Sequence, residues 1–391
     1  MIPRKLADYA KFIATRYPVV TITGPRQSGK TTLAREVFAD KAYVNLENPL
    51  TREYATDDPV GFLNQFRGGV VLDEIQRAPE LLSFIQVRAD ELTENGFFIL
   101  TGSQQFELLH SISQSLAGRT ALLKLLPFSV EELLPYYPKL GINELLHRGF
   151  YPRIYDQDIP PSQALGDYFE TYVERDLRQL VNVHNLGLFQ KFVRLCAGRV
   201  GQILNLHSLA NDTGISHSTA RQWLTVLEAS YIVFLLPPYH ANIGKRLIKS
   251  PKLYFYDAGL AAWLCGVEEA IHLSSHPLKG HFYENLVVME FLKYRYNSGK
   301  RSNLFFFRDS TGNEVDLLYT VGHQVLPIEI KAGESISADY FKGLRTFAKF
   351  FPEHNLGQIL VYAGAENQQR SGVEVISVFD VAPTLARMED A

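Results

Sequence analysis

Cysteine is nearly absent: Cys196 and Cys265 are the only two in 391 residues, far apart and without a Cys-x-x-Cys partner. That excludes a disulfide framework and a cysteine zinc site. An excess of positive charge is missing too. The formal net charge is -3 and the pI is near 6.4, so no global basic field marks a nucleic-acid binder. Any such contact must come from local patches. No uninterrupted apolar run approaches the roughly 18–20 residues of a membrane span. The opening Met1-Ile2-Pro3-Arg4-Lys5 leads into an amphipathic stretch, which argues against a signal peptide. The expectation is a cytoplasmic chain with no membrane partner.

What is present is ordinary globular material, 46% hydrophobic and 21% charged. The length suggests two or three domains at about 100–200 residues each. The most informative stretch is Gly24-Pro25-Arg26-Gln27-Ser28-Gly29-Lys30-Thr31-Thr32, which carries the G-x-x-x-x-G-K-S/T pattern. Val19-Val20-Thr21-Ile22 reads as a buried strand leading in, and Thr32 to Phe38 as a helix leading out. Glycines let successive N–H groups turn toward phosphate, and the helix N-terminus adds partial positive charge. Lys30 is then placed for the β- and γ-phosphates, and the Thr31 hydroxyl for Mg²⁺. The pattern predicts a site for ATP.

Downstream, Gly69-Val70-Val71-Leu72-Asp73-Glu74 reads as a strand ending in two acids. In that position Asp73 holds Mg²⁺ through water, and Glu74 orients and deprotonates the attacking water. Gly96 to Leu100 is a further strand that ends in Thr101-Gly102-Ser103. Thr101 or Ser103 is the candidate to touch the γ-phosphate or the water, the alternative being a strand-to-helix turn with an N-cap. Arg119, in Leu116-Ala117-Gly118-Arg119-Thr120, is either a surface ion pair or a guanidinium aimed at a neighbouring subunit's γ-phosphate. Strands alternating with helices predict a parallel sheet covered on both faces.

These segments (Arg26 to Thr32, Leu72 to Gln76, Leu100 to Ser103 and Ser115 to Arg119) resemble a broad group of bacterial and archaeal AAA+-type ATPases. Most members are uncharacterised and carry a C-terminal domain of unknown function. The resemblance implies an α/β P-loop NTPase domain over residues 1–135 and a helical lid over 136–200. Ser129 is a candidate N-cap, with Glu132 three residues later completing a capping box, for a helix that leads into the lid. Arg153 and Arg175 are either phosphate contacts or structural ion pairs.

Leu206 to Leu227 has helix-turn-helix form: Gly214 makes the turn, Ser216 caps the second helix, and Ala220, Trp223, Leu224 and Leu227 are its core positions. With strands after it, a winged helix over 201–265 is expected. His217, Ser218, Arg221 and Gln222 would face outward, and Lys245, Arg246, Lys249 and Lys252 would form a basic wing. Such a module contacts DNA or serves only subunit packing.

From 270 to 391 the order helix, three strands, helix, strand is that of the PD-(D/E)XK, restriction-endonuclease-like fold. In that frame Asp316, Glu329 and Glu284 would bind Mg²⁺. Lys331, on the same strand face as Glu329, would position or deprotonate water. The alternative is a remnant of the fold without activity. The whole reading is an ATP-hydrolysing oligomer, a hexamer among the candidates, acting on DNA, branched DNA included. Its competitor is an ATP-switched regulatory or protein-binding module with a silent tail.

Overall fold

The computed structural model describes residues 2–92, 94–103, 115–172, 185–239, 250–354 and 356–389. The chain divides into two compact units. The first is Met1–Phe128 with Ala229–Tyr231 and Tyr296–Lys300, and the second is the remainder. The expected lid, winged-helix segment and tail therefore fall, apart from those two short segments, in one unit.

The first unit is built on a five-stranded sheet of order β2-β3-β4-β1-β5. Its strands are β1 (Val19–Thr23), β2 (Ala42–Asn45), β3 (Val70–Asp73), β4 (Phe98–Gly102) and β5 (Thr120–Lys124), and every pairing is parallel. β1, β3 and β4 are buried along their whole length, as parallel strands covered on both faces must be. Side-chain alternation divides the core. Val19, Val70, Leu72, Phe98 and Leu100 point to one face, against the helix Leu81–Glu91. Val20, Ile22, Val71 and Ile99 point to the other, against α1 (Leu6–Ala14) and α2 (Lys30–Val37). β4 lies between β1 and β3, so the strand ending in Thr101 separates the P-loop strand from the one ending in Asp73.

The second unit begins with the capping box. Ser129 Oγ accepts from Glu132 N at 3.2 Å, and Glu132 Oε2 accepts from Ser129 N at 2.8 Å. The helices Leu206–Thr213 and His217–Ala229 follow, joined through Gly214 at φ 87°, where a side chain would be strained. Ala220, Trp223, Leu224 and Leu227 are the buried positions of the second helix, and Ser216 Oγ accepts from Thr219 N at 3.1 Å. Strands β6 (Val233–Leu236) and β7 (Lys252–Phe255) pair antiparallel. Lys245, Arg246 and Lys249, expected in the basic wing, lie outside the described residues, as does Arg175.

The remaining sheet has six strands in the order β12-β13-β11-β10-β9-β8. They are β8 (Leu304–Arg308), β9 (Glu314–Val321), β10 (Gln324–Lys331), β11 (Ile359–Tyr362), β12 (Gln368–Arg370) and β13 (Val373–Ser377). The helix Lys279–Asn297 precedes β8, and the helix Lys342–Phe350 joins β10 to its parallel neighbour β11. Helix, three strands, helix, strand is the element order read from the sequence. Among the described residues no helix is long and apolar enough to cross a membrane.

Candidate functional site

The loop between β1 and α2 is held in a conformation that few residues allow. Gly24 has φ 152°, and a Cβ there would stand 2.1 Å from the Leu125 carbonyl oxygen. Gly29 has φ 89°, and Gln27, with a side chain, has φ 61°. A non-glycine residue in the left-handed region is a mark of a functional loop. Lys30 Nζ folds back over the loop and donates to Gly24 O at 3.1 Å and Pro25 O at 2.7 Å. Burial pushes the Lys30 ammonium down to about 8, against the pull of Glu74 and Asp73. A buried arginine supports the loop from behind: Arg4 donates to Ser28 O at 2.6 Å and to Leu126 O at 2.7 Å.

Asp73 collects hydroxyls. Thr31 Oγ1 lies 3.0 Å from both of its oxygens, Tyr43 OH is 2.7 Å from Oδ2, and Thr101 donates to Oδ1. The Thr101 hydroxyl also accepts from Glu74 N at 3.3 Å. Glu74 itself takes a left-handed conformation, φ 57° and ψ 47°. Its Oε2 accepts from Ser103 Oγ at 3.2 Å and from the Gln76 amide. Of the two hydroxyls expected near the γ-phosphate, Thr101 touches Asp73 and Ser103 touches Glu74. A hydroxyl and a carboxylate facing each other are hard oxygen donors, the set Mg²⁺ prefers, so Thr31 and Asp73 fit that ion. Sequence reasoning assigned no role to Arg4, Tyr43 or Gln76. Gln76 had a signal in its position two residues past Glu74; Arg4 and Tyr43 had none.

Arg119 stands elsewhere. It precedes β5, and Thr120 pairs with Val19 at the amino end of β1, whereas the P-loop leaves the carboxyl end. Four residue steps of about 3.3 Å separate the two ends of β1, roughly 13 Å. Its guanidinium grips Asp90 through Nε at 2.5 Å and a second nitrogen at 2.7 Å. Within this chain Arg119 is therefore away from the P-loop end of β1. Arg153 donates to Gln157 on its own helix, at 3.1 Å.

The acids of the second unit do converge, and lysines come with them. Glu329 and Lys331 share a face of β10, with Lys331 Nζ 2.5 Å from Glu329 Oε1 and 3.4 Å from Asp316 Oδ2. Asp316 Oδ2 also accepts from Ile330 N at 2.9 Å. Lys252, expected on a solvent-facing wing, is instead 2% exposed. Its Nζ lies 2.6 Å from Glu314 Oε1, 3.0 Å from Glu284 Oε1 and 3.9 Å from Asp316 Oδ1. Tyr254 OH adds a bond to Glu284 Oε1 at 2.5 Å. Among the described residues no three acidic, histidine or cysteine side chains are gathered as a metal site. Ammonium groups lie among the carboxylates of Glu284, Asp316 and Glu329, the set expected to hold Mg²⁺. Burial raises the carboxyl of Glu329, with the Asp316 carboxylate adding and Lys331 opposing. Burial likewise raises Glu284, against Lys252.

Residues 16–134 match an AAA domain, 140–270 a domain of unknown function (DUF8612), and 279–381 another (DUF4143). The uncharacterized protein Rv2008c of Mycobacterium tuberculosis is 32% identical over 320 residues, 81% of this chain and 70% of that protein. The uncharacterized protein Mb2031c of Mycobacterium bovis matches with the same figures, 32% over 320 residues. Among solved structures, the Walker-type ATPase paby2304 of Pyrococcus abyssi aligns at 15% identity and a TM-score of 0.43, over 68% of this chain and 96% of its own. The chain belongs to the family of these two mycobacterial proteins, and its residues 16–134 are a domain of the AAA ATPase type.

Proposed function

We propose that the chain is a Mg²⁺-dependent ATPase, working as an oligomer, that couples ATP hydrolysis to action on DNA. The observation that carries the hydrolytic part is Glu74, a carboxylate fixed by Ser103 and Gln76 one residue beyond Asp73. On this reading Lys30 leaves the Gly24 and Pro25 carbonyls for phosphate oxygens, and the α2 N-terminus faces the phosphates. Thr31 and Asp73 would hold Mg²⁺, which screens phosphate charge when bound. Glu74 orients a water and accepts its proton as the water oxygen bonds to the γ-phosphorus and the bond to ADP breaks. Thr101 keeps Asp73 aligned, and Arg119 of a neighbouring subunit would meet the charge that builds on the γ-phosphate.

The DNA part rests on the helix His217–Ala229, whose Ser218, Arg221 and Gln222 are exposed beside the partly exposed His217. Polar groups on the second helix of such a pair suit backbone or groove contacts. The placement of Lys252 favours a second reading for the tail: a nuclease-like fold that docks rather than cuts, in a chain whose ATPase switches a protein partner.

The test is ATP turnover with Mg²⁺, with and without single-stranded, duplex and four-way DNA, with Glu74→Gln as the blank. Turnover raised several-fold by one DNA shape supports a DNA-directed ATPase. Turnover indifferent to every DNA leaves the protein-directed switch.

A further inference from the structure

A PD-(D/E)XK-like tail implies a divalent cation between its acids, and the acids of this chain already have ammonium partners from within. We infer that Lys252 is a tethered cation standing where that ion would stand, so that the cluster is a salt-bridge junction that takes no metal and cuts no phosphodiester. The inference rests on the nuclease-like reading of the tail and settles which form of it applies.

Three observations carry it. The first is geometry. One ammonium group meets carboxylates from the helix Lys279–Asn297 and from two positions of β9, at 3.0 Å (Glu284), 2.6 Å (Glu314) and 3.9 Å (Asp316). A cation inserted among the same oxygens would have to displace it.

The second is the charge count. Glu284, Glu314, Asp316 and Glu329 face Lys252, Lys331 and Arg308, the last 2.9 Å from Glu314 Oε2, so four acids meet three bases. A divalent ion added to that set would turn the count to an excess of positive charge beside Lys252, which is itself held away from water.

The third is burial. Lys252 is 2% exposed and sits on β7, the strand paired with β6 immediately after the helix-turn-helix pair. A lysine so buried keeps its charge only with partners, and its partners are these acids. The cluster therefore pins β7 to β9 and to the helix Lys279–Asn297. It joins the middle of the chain to the tail by charge rather than by chemistry.

The experiment is Mn²⁺ binding to the full chain without nucleotide or DNA, by calorimetry and by electron paramagnetic resonance of free Mn²⁺. Wild type is compared with Asp316→Asn, so that ions bound at the P-loop cancel. The expected result is equal stoichiometry in the two. Lys252→Met should then melt several degrees lower in chelator, gain one Mn²⁺ site and recover part of its melting temperature with the metal. Adding Asp316→Asn should remove that site. A site present in wild type and lost in Asp316→Asn overturns the inference, as does nucleic-acid cleavage abolished by Lys331→Ala. A folded Lys252→Met that gains no site also overturns it, because Lys252 then does not stand in a cation position. If Lys252→Met does not fold, wild type against Asp316→Asn decides alone. DNA-indifferent ATP turnover would sink the DNA reading without touching this count, which contains neither ATP nor DNA.

Discussion

The Ser103 hydroxyl, just past the end of β4, donates to Glu74 Oε2 at 3.2 Å, across the sheet from one strand terminus to the next. Glu74 also sits in the left-handed region, a conformation that costs on the order of 1 kcal/mol or more and persists only where neighbours over-determine it. Ser103 and Gln76 are those neighbours. Removing the carboxylate with Glu74→Gln should lower turnover by about 10²–10⁴-fold while ATP binding persists. If Ser103 and Gln76 act by positioning Glu74, Ser103→Ala and Gln76→Ala should lower kcat alone, by about tenfold. A matching loss in ATP affinity would show that they only shape the pocket.

Arg4 is a buried guanidinium, 8% exposed, holding the carbonyls of Ser28 and Leu126. Hydrogen bonds to charged groups contribute about 1.5–3 kcal/mol each, and the abandoned carbonyls would be buried unpaired. Arg4→Met should lower unfolding stability by about 2–4 kcal/mol and weaken ATP binding. Chemical denaturation alongside nucleotide titration reads both. Stability lost with ATP affinity intact would separate Arg4 from the loop's function.

The local parts of this molecule were legible because local rules set them. The P-loop, the two acids at the end of β3, the capping box at Ser129 and the helix pair around Gly214 depend on residues within a few positions of one another. The long-range pairings were not. Lys252 meets Glu284 32 positions on, and Arg4 meets Leu126 122 positions on. A lysine in a short strand after a helix-turn-helix pair reads as a wing residue until the sheet that buries it is known. Arg119 shows the same limit: its residue type suited a phosphate, and only the register of β5 on β1 puts it at the far end of the strand.

Lys30 gives a pH dependence whose sign follows from its burial. Its ammonium is pushed down to about 8 by desolvation, from 10.5. A lysine with a lowered native pKa disfavours the fold when protonated, so this contribution to stability is present at high pH and is lost as pH falls through the interval toward 8. Phosphate needs the charged form. ATP affinity measured in chelator, to leave metal out, should therefore be flat below pH 8 and fall about tenfold per unit above it. An affinity unchanged from pH 7 to 9.5 would mean that phosphate binding does not draw on the charge of Lys30.

Arg119 allows a test of assembly as well as of chemistry. Its pair with Asp90 lies at the surface, where solvent screens the attraction, so a neighbouring nucleotide could draw the guanidinium away. If it serves the next subunit, Arg119→Ala should bind ATP normally and lose turnover by about 10³-fold, the scale of other catalytic arginines supplied in trans. The decisive step is mixing. Glu74→Gln keeps Arg119 but not the base, and Arg119→Ala keeps the base but not the arginine. Each is inactive alone. At an interface where a Glu74→Gln subunit presents Arg119 to an Arg119→Ala subunit, one complete site forms, and turnover should return in proportion to such interfaces. A mixture as inactive as its parts, with subunit exchange demonstrated by fluorescence transfer, would remove Arg119 from the neighbouring site and leave it as the partner of Asp90.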